Sequence, residues 1–207
     1  MTDRASTTPE ARRLEGLWSG DFGDDYVDRN TDFSHRRAFW ASALRERRMT
    51  RVLEVGCNIG GNLEWIADDA AYRLVVGVDV NTRALRGLRT RVPSARAVES
   101  PARALPFRDR AFDLVFTMGV LIHQPDDTLS QVMGEMVRCS RRWVLCGEYF
   151  APEPTEVAYR SQEGALFKRD YGRLFCEASP DLTMTDTGFL SRRDGWDDVT
   201  WWLLERR

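Results

Sequence analysis

Short apolar runs alternate with segments of helical periodicity along most of the chain. The runs at 51–56 and 74–79 are rich in valine and leucine and end at glycine or aspartate, which predicts buried strands. Between such runs apolar residues recur every three or four positions, as at Leu85, Leu88 and Val92, which predicts helices. The predicted strands lie at 51–56, 74–79, 95–99, 112–117, 143–146 and 199–204, with another near 186–189.

The apolar runs of these strands are continuous and do not alternate with polar residues, which indicates a parallel sheet covered by helices on both faces. The predicted fold class is therefore α/β and Rossmann-like. Thr82 is expected to cap the helix after the second strand, and Asp126 or Asp127 the helix after the fourth.

The first 33 residues are polar overall but too aromatic for a solvated tail, so we expect them to pack onto the domain. A helix follows, because apolar residues then recur on one face. The chain is accordingly divided into an N-terminal helical segment that forms a lid, 1–48, and an α/β domain, 49–207. The large apolar residues of the first part are Leu14, Leu17, Trp18, Phe22, Tyr26, Phe39, Trp40 and Leu44.

Composition narrows the class of protein. The chain has 207 residues, 43% of them hydrophobic, which suffices for one domain with a sizeable core. Its net charge of -2 lacks the basic surplus of a nucleic-acid binder, so no nucleic-acid partner is expected. No apolar run approaches the roughly 20 residues of a membrane span, and the first residues are polar, so we expect a cytoplasmic protein without a membrane partner. With two histidines and four cysteines in no C-x-x-C pair, no metal site is expected.

A glycine-containing segment, EVGCNIGGN at 54–62, connects the first strand to the next helix. Glycines there let a ligand approach the backbone beside a helix N-terminus. The segment departs from the dinucleotide pattern G-x-G-x-x-G, because Cys57 and Asn58 stand where an early second glycine would be. Glu54 suits a ligand that carries a cation. S-adenosylmethionine (SAM) has an ammonium group and a sulfonium and no phosphate.

Asp79 ends the second strand, at the βαβ spacing expected downstream of this segment. A carboxylate at that place can accept hydrogen bonds from both hydroxyls of a ribose. The two features together predict a nucleoside-type ligand. The residues predicted to surround it are Glu54, Gly56, Asn58, Gly60, Asp79 and Val80.

Residues 105–115 resemble the segment before and within the fourth strand of class I SAM-dependent methyltransferases. Over nearly the whole chain, a series of motifs resembles the pseudaminic acid biosynthesis-associated methylases. These motifs are FGDDY at 22–26, LEVGCNIG at 53–60, GVLIH at 119–123, LFKRDYG at 166–172 and DDVTWWLLE at 197–205.

The resemblance implies a mostly parallel, seven-stranded sheet and SAM as the cofactor. It also implies an adenine loop at Ser100 and Pro101, where many members of the family have an acidic residue and this chain has none. Further cofactor contacts are expected at the methionine end and in the lid, from Met118, Gly119, Val120, Tyr26 and Asn30.

The segment after the fifth strand should lie at the substrate edge of the sheet. Arg160 or Arg169 suits a carboxylate, such as that of an amino acid or an acidic sugar, and Tyr171 is a further candidate contact. The alternative is a salt-bridge network that holds the C-terminal segment in place. The expected substrate is thus a small polar molecule; the sequence does not assign an oligomeric state.

Methyl transfer needs a base only when the acceptor arrives protonated. His123, just past the fourth strand, is the first candidate for that base, followed by Glu148 and Tyr149. Methyl transfer is the expected reaction. Two alternatives stay open: cyclisation of SAM to azetidine-2-carboxylate and methylthioadenosine, favoured by aromatic residues that could face the sulfonium, and a regulatory protein that binds SAM without catalysis.

Overall fold

The computed structural model describes residues 8–29, 31–45, 47, 49–68, 72, 74–160 and 162–207. Nine strands lie in this part of the chain: β1 Arg51–Val55, β2 Leu74–Asp79, β3 Arg96–Glu99, β4 Phe112–Met118, β5 Ser140–Glu148, β6 Thr155–Glu156, β7 Phe167–Lys168, β8 Leu182–Leu190 and β9 Val199–Arg206. Seven of them form one sheet in the order β3-β2-β1-β4-β5-β9-β8. Strands β1 to β5 run parallel, and β9 runs antiparallel between β5 and β8. This confirms the predicted Rossmann-like fold with a mostly parallel seven-stranded sheet.

Helices cover both faces of the sheet. Their bounds are α1 Pro9–Ser19, α2 Asp21–Arg29, α3 Arg36–Ala43, α4 Leu63–Ala67, α5 Thr82–Arg91, α6 Asp126–Cys139 and α7 Tyr171–Ala178. Helix α1 begins where sequence rules expect it, because the Thr8 hydroxyl accepts a hydrogen bond from the Ala11 N–H and Pro9 occupies the first helical position. Two short 3₁₀ turns lie at Leu121–His123 and Arg192–Asp194.

Two predicted helix caps are corrected by one residue. The cap of α5 is Asn81, whose side-chain oxygen accepts a hydrogen bond from the Ala84 N–H at 2.8 Å, so Thr82 is the first helical residue. Pro125 takes the cap position of α6, which places Asp126 and Asp127 in its first turn. Carboxylates there still favour the helix, because the positive end of its dipole faces them.

The sheet is buried between two apolar layers. On one side α6 and α7 pack against it, with Met136 and Phe175 fully buried. On the other side α3, α4 and α5 cover it, and Trp40 lies 4.5 Å from the ring of Phe116 on β4. Such an aromatic pair adds roughly 0.5–1.5 kcal/mol beyond the area that it buries. The core thus holds the carboxyl ends of β1 to β4 at one rigid edge.

Helices α1 and α2 dock onto this edge at the turn between β2 and α5. The Asn81 side-chain amide donates to the Trp18 carbonyl at 3.1 Å and to the Asp24 carboxylate at 2.9 Å. At the rim, Asp28 pairs with Arg83 at 2.6 Å. Gly23 makes the close approach possible, since a Cβ there would collide with the Trp18 carbonyl and with the Asn81 amide.

Replacement of Gly23 by alanine is expected to loosen this docking. The added methyl group has no space between Trp18 and Asn81, and overpacking of this kind costs about 1–3 kcal/mol. Urea unfolding should show the loss, and hydrogen exchange should show reduced protection of residues 9–29. Gly16→Ala is the matched control, because Gly16 is exposed on α1 and a Cβ there meets no described atom within 4 Å. That variant should gain up to about 1 kcal/mol. Equal behaviour of the two variants would contradict the proposed role of Gly23.

Candidate active site

A cavity of about 140 Å³ lies at the carboxyl ends of β1 to β4, beneath α1 and α2. The sheet contributes its floor and the two N-terminal helices contribute its roof. The lining includes Leu14, Glu15, Trp18, Tyr26, Val27, Gly56, Asn58, Asp79, Val80, Asn81, Ser100, Ala102, Arg103, Met118, Gly119, Val120, His123, Gln124 and Thr128. In an open α/β sheet, ligands are expected at this edge.

The loop after β1 brings backbone and side-chain groups to the cavity. Gly56 and Asn58 have φ angles of 72° and 46°, and the Gly56 N–H donates to the Val78 carbonyl at 2.8 Å. The side-chain oxygen of Asn58 is buried and has no hydrogen-bond partner among the described residues. It is therefore free to accept a hydrogen bond from a ligand. Gly60 lies outside the cavity wall, where a Cβ would collide with Leu88, so its role is in packing.

Asp79 lies at the end of β2 with its carboxylate fixed by the backbone. One oxygen accepts a hydrogen bond from the Asn58 N–H at 2.8 Å and the other from the Asn81 N–H at 2.9 Å. Burial raises the pKa of Asp79, and these N–H donors oppose that rise. Each carboxylate oxygen can accept a second hydrogen bond, so the group can still bind two hydroxyls.

Glu54 is held inside the protein, outside the cavity wall. Its carboxylate accepts a hydrogen bond from the Asn62 amide at 2.5 Å, and the Asn62 oxygen accepts from Arg36 at 3.0 Å and from Trp40 at 3.2 Å. Burial raises the pKa of Glu54 to about 8. These contacts tie the start of α4 to α3. The second carboxylate oxygen of Glu54 is buried without a hydrogen-bond partner among the described residues, so the cofactor contact stays a prediction.

The segment after β4 forms another wall of the cavity, with Met118, Gly119 and Val120. Gly119 has a φ of 72°, and a Cβ added to it would meet no described atom within 4 Å. The backbone there is thus open toward the cavity, as close approach of a ligand requires.

Glu148, at the end of β5, holds the segment after β4 in place. Its two carboxylate oxygens accept hydrogen bonds from the Val120, Leu121 and Ile122 N–H groups at 3.1–3.2 Å. The side chain is fully buried and lies outside the cavity wall. Burial raises its pKa, while the backbone donors lower it. A carboxylate engaged in this way positions the loop, so its contacts do not support the predicted role as a base.

His123, the first candidate for the base, lines the cavity. Its Nδ1 lies 2.6 Å from the Ala165 carbonyl, which can only accept, so Nδ1 carries the proton and Nε2 is left as an acceptor. Burial lowers the pKa of His123 to about 4. The ring is therefore neutral at physiological pH. It packs between Trp18 at 4.5 Å and Tyr159 at 5.2 Å, measured between ring centroids.

The loop after β3 contributes Ser100, Ala102 and Arg103 to the lining, and the predicted Pro101 lies beside them, outside the wall. The Ser100 hydroxyl donates to the Ala104 carbonyl at 2.9 Å, which closes the loop on itself. Arg103 forms an ion pair with Glu15 of α1, at 2.7 Å.

The structure does not bring the residues predicted for the substrate to the cavity. Arg169 is buried, pairs with Asp126 at 2.7 Å and donates to the Tyr171 hydroxyl at 3.3 Å. Tyr171 donates in turn to the Phe167 carbonyl at 2.9 Å. Arg160 is exposed, outside the cavity wall. The salt-bridge network therefore describes Arg169 and Tyr171 better than carboxylate recognition does.

Two remaining candidates lie apart from the lining. Tyr149 is half-buried, burial raises its pKa to about 12, and the Lys168 ammonium lies 5.8 Å from its ring centroid. It contacts the cavity less directly than His123 does. Asn30, predicted to face the cofactor, lies outside the described residues. Tyr26 does line the cavity, and its ring contacts Trp18 edge-on at 5.5 Å.

Several lining residues were not found from the sequence. Trp18, Glu15 and Asn81 belong to the roof or to its attachment, and Arg103 follows β3. Trp18 was noted only as one of several apolar residues in the N-terminal segment. Glu15 and Arg103 carry no local pattern, because only the docking of α1 brings them together. Asn81, two residues after the β2 aspartate, was the one signal that a helix cap and a contact with the N-terminal helices could have been sought there.

Two negative observations concern the described part of the chain. No helix in it combines the length and the apolar character needed to cross a membrane. Likewise, the described histidine, cysteine and acidic side chains form no group of three that could hold a metal ion. All four cysteines are free thiols.

Comparison with known proteins assigns the fold. Residues 52–142 match the family model of a methyltransferase domain. The chain is 30% identical over 126 residues to the 2-methyl-6-phytyl-1,4-hydroquinone methyltransferase of Synechocystis sp., an alignment that covers 55% of this chain and 39% of that protein. The chain thus spans less than half the length of the curated relatives it matches.

Two solved structures extend the likeness to nearly the whole chain. The 1,6-didemethyltoxoflavin-N1-methyltransferase of Burkholderia thailandensis, solved with S-adenosylhomocysteine, has a TM-score of 0.74 at 18% identity, over 98% of this chain and 91% of that one. The magnesium protoporphyrin IX methyltransferase of Synechocystis, also with S-adenosylhomocysteine, has a TM-score of 0.71 at 15% identity, over 95% and 99%. The fold is therefore that of a class I methyltransferase. Residues 52–142 thus resemble a methyltransferase domain.

The depressed pKa of His123 predicts a pH dependence of stability. The unfolded chain binds a proton to this residue near pH 6.5 and the folded chain near pH 4, so between these values the unfolded state holds more protons. Stability should therefore fall as the pH falls from about 6.5 to 4, with a contribution of up to about 1.4 kcal/mol per pH unit. Urea unfolding of the wild type and of His123→Gln should show a shallower slope in the variant. The control is His35→Gln: burial also lowers the pKa of His35, but the residue is only partly buried, so this variant should change the slope less than His123→Gln does. Parallel slopes for wild type and His123→Gln would contradict the assignment.

Proposed function

We propose that this chain is a SAM-dependent methyltransferase that acts on a small polar molecule. The observation that carries the proposal is the Asp79 carboxylate, which two backbone N–H groups hold at the end of β2 beside the cavity. A carboxylate so placed in an α/β fold suits the paired hydroxyls of a ribose. The methyltransferase-domain match includes both Asp79 and the loop after β1.

The chain's own groups fit the rest of the cofactor. The unpartnered Asn58 oxygen can accept a hydrogen bond from an ammonium group, and the open backbone at Gly119 leaves room along the methionine part. Val80 offers an apolar surface beside the ribose site. When bound, SAM supplies a methyl group activated by its positively charged sulfur.

The protein's contribution to rate is mainly alignment and the exclusion of water. Holding donor and acceptor in line can contribute roughly 7–11 kcal/mol. Helices α1 and α2 act as the lid that closes the site, with Trp18 and Tyr26 in its inner surface. Aromatic faces beside a sulfonium add a cation–π attraction of about 0.5–2 kcal/mol.

His123 orients the acceptor and receives its proton. The Nε2 lone pair can accept a hydrogen bond from an O–H or N–H group, because the Ala165 carbonyl fixes the proton on Nδ1. The low pKa keeps the ring neutral before the reaction. A ring with so low a pKa is a weak base, so Nε2 takes the proton only after the methyl group has arrived and the positively charged acceptor atom has become strongly acidic. Glu148 supports this step indirectly, since it fixes the N–H groups of the turn that carries His123.

The acceptor is proposed to be a small polar molecule, and its finer class has weaker support. A sugar-derived acceptor rests on the resemblance of the sequence motifs. A carboxylate-bearing acceptor would need a cation other than Arg169, because that guanidinium is already paired with Asp126. Arg160 is exposed and would have to turn toward the site.

One observation favours a second candidate, the cyclisation of SAM to azetidine-2-carboxylate and methylthioadenosine. The rings of Trp18, Tyr26 and His123 pack against one another and enclose one end of the cavity, with Trp18 5.5 Å from Tyr26 and 4.5 Å from His123. A closed, aromatic site suits a reaction that needs no second substrate. Methyl transfer stays the first proposal, because it is the reaction that the matched relatives are named for.

Asp79→Ala is expected to weaken SAM binding more than tenfold, because the ribose hydroxyls lose both charge-assisted hydrogen bonds. Isothermal titration calorimetry measures the dissociation constant, and circular dichroism checks that the variant is folded. Glu99→Gln is the control, since Glu99 also ends a strand of this edge but is exposed and lies outside the cavity wall. An unchanged dissociation constant for Asp79→Ala would sink the ribose assignment. Binding of NAD in place of SAM by the wild type would refute the cofactor.

Mass spectrometry of the products separates the two candidate reactions. Purified protein is incubated with SAM alone, and then with SAM and a panel of amino sugars, phenols and heteroaromatic amines. A methyltransferase should form S-adenosylhomocysteine only when an acceptor from the panel is present. Methylthioadenosine that forms with SAM alone, above a blank without protein, would overturn methyl transfer in favour of cyclisation.

A further inference from the structure

An ion pair spans the roof and the floor of the cavity beyond the ribose site. Glu15 lies on α1 and Arg103 in the loop after β3, and both line the cavity. The Arg103 Nε lies 2.7 Å from one carboxylate oxygen of Glu15, and its Nη2 lies 3.3 Å from the other. The two side chains are 32% and 13% exposed, so the pair is mostly shielded from water.

The order of the strands places this pair where the base of a nucleoside would lie. The edge of the sheet runs β3, β2, β1, β4. With the ribose on Asp79 at the end of β2 and the methionine part along the loops after β1 and β4, the base extends to the remaining side, toward β3. That side is formed by the loop after β3 and by α1. Its apolar surfaces are Leu14, Val80 and Ala102.

The side chains of the loop after β3 supply no carboxylate to accept a hydrogen bond from the base. Adenine carries an exocyclic amine, which donates hydrogen bonds, and a buried donor left without a partner costs about 1–3 kcal/mol. Residues 100–104 read SPARA and contain no acidic side chain. The Ser100 hydroxyl is already used within the loop. Among the described lining residues, the carboxylates are Asp79 and Glu15. Asp79 is already assigned to the ribose hydroxyls, which leaves Glu15 for the base.

We propose that Glu15, supplied by the lid helix α1 and oriented by Arg103, binds the exocyclic amine of the adenine. The inference rests on the proposed function, since it assumes that the cavity takes SAM. A carboxylate oxygen that accepts one hydrogen bond from Arg103 keeps a lone pair for a second donor. The Glu15 carboxylate thus recognises the base by a hydrogen bond, which can form only when α1 is docked.

The test compares two ligands that differ at the 6-position of the base and at the adjacent N1, which carries a proton only in the second. S-adenosylhomocysteine carries the amine, whereas S-inosylhomocysteine carries a carbonyl oxygen in its place, which the Glu15 carboxylate would repel. Calorimetry gives the ratio of their dissociation constants for wild type, Glu15→Gln and Glu10→Gln. Glu10→Gln is the matched control, because Glu10 lies on the same helix and pairs with Arg13 on the exposed surface.

The wild type and Glu10→Gln should prefer S-adenosylhomocysteine by about tenfold or more, as expected for a hydrogen bond to a charged group. In Glu15→Gln the preference should shrink at least about fivefold, because an amide can donate to the carbonyl as well as accept from the amine. A purely structural ion pair would weaken both ligands equally and leave the ratio unchanged, which would overturn the inference. Failure of the wild type to bind S-adenosylhomocysteine at all would instead refute the proposed function.

Discussion

The attachment of α1 and α2 to the turn after β2 is the contact on which the candidate site depends. Asn81 alone makes four hydrogen bonds there. Its side-chain oxygen caps α5, and its side-chain amide donates to the Trp18 carbonyl and to Asp24. Its backbone N–H donates to the Asp79 carboxylate. Each of these hydrogen bonds adds about 1 kcal/mol to stability. Their greater effect is to couple the parts that they join, because one residue makes all of them. The Asp79 carboxylate, proposed to bind the ribose, and the helices that form the roof cannot move independently, because both are bound to Asn81.

Much of the fold was predictable because it rests on local patterns. Continuous valine and leucine runs identified β1, β2 and β4, and the period of three to four residues identified α5 and α6. The short pair β6 and β7 was not predicted, since strands of two residues leave no pattern. The cap of α5 was misplaced by one residue, because the neighbouring Asn81 and Thr82 have similar preferences for that position. The cap of α6 was misplaced because Pro125, which takes that position, makes no capping hydrogen bond with its side chain.

The candidate site was predictable only where a residue's position along a strand decides its place. Asp79, Gly119 and His123 follow strand ends, so the topology brings them to one edge. Charged residues later in the chain were assigned to the substrate or to catalysis from their chemical type alone, and these assignments are not supported by their contacts. Arg169 and Glu148 have groups suited to a substrate, yet Arg169 pairs with Asp126 and Glu148 accepts hydrogen bonds from backbone N–H groups. Whether a charged side chain faces a ligand or a backbone depends on packing that no local pattern records.

Because the lid supplies part of the cavity wall, binding and the docking of the lid must be coupled. Trp18, Tyr26 and Glu15 meet a ligand only when α1 and α2 rest on the sheet edge. A ligand that binds the docked form alone stabilises it by mass action, in proportion to the logarithm of its concentration over its dissociation constant. In the proposed reaction the same coupling acts in reverse when products leave, since Trp18 packs against His123 and has to move for the cavity to open. Asn81 then influences both ligand binding and product release, although it is neither the proposed base nor a contact of the methyl acceptor.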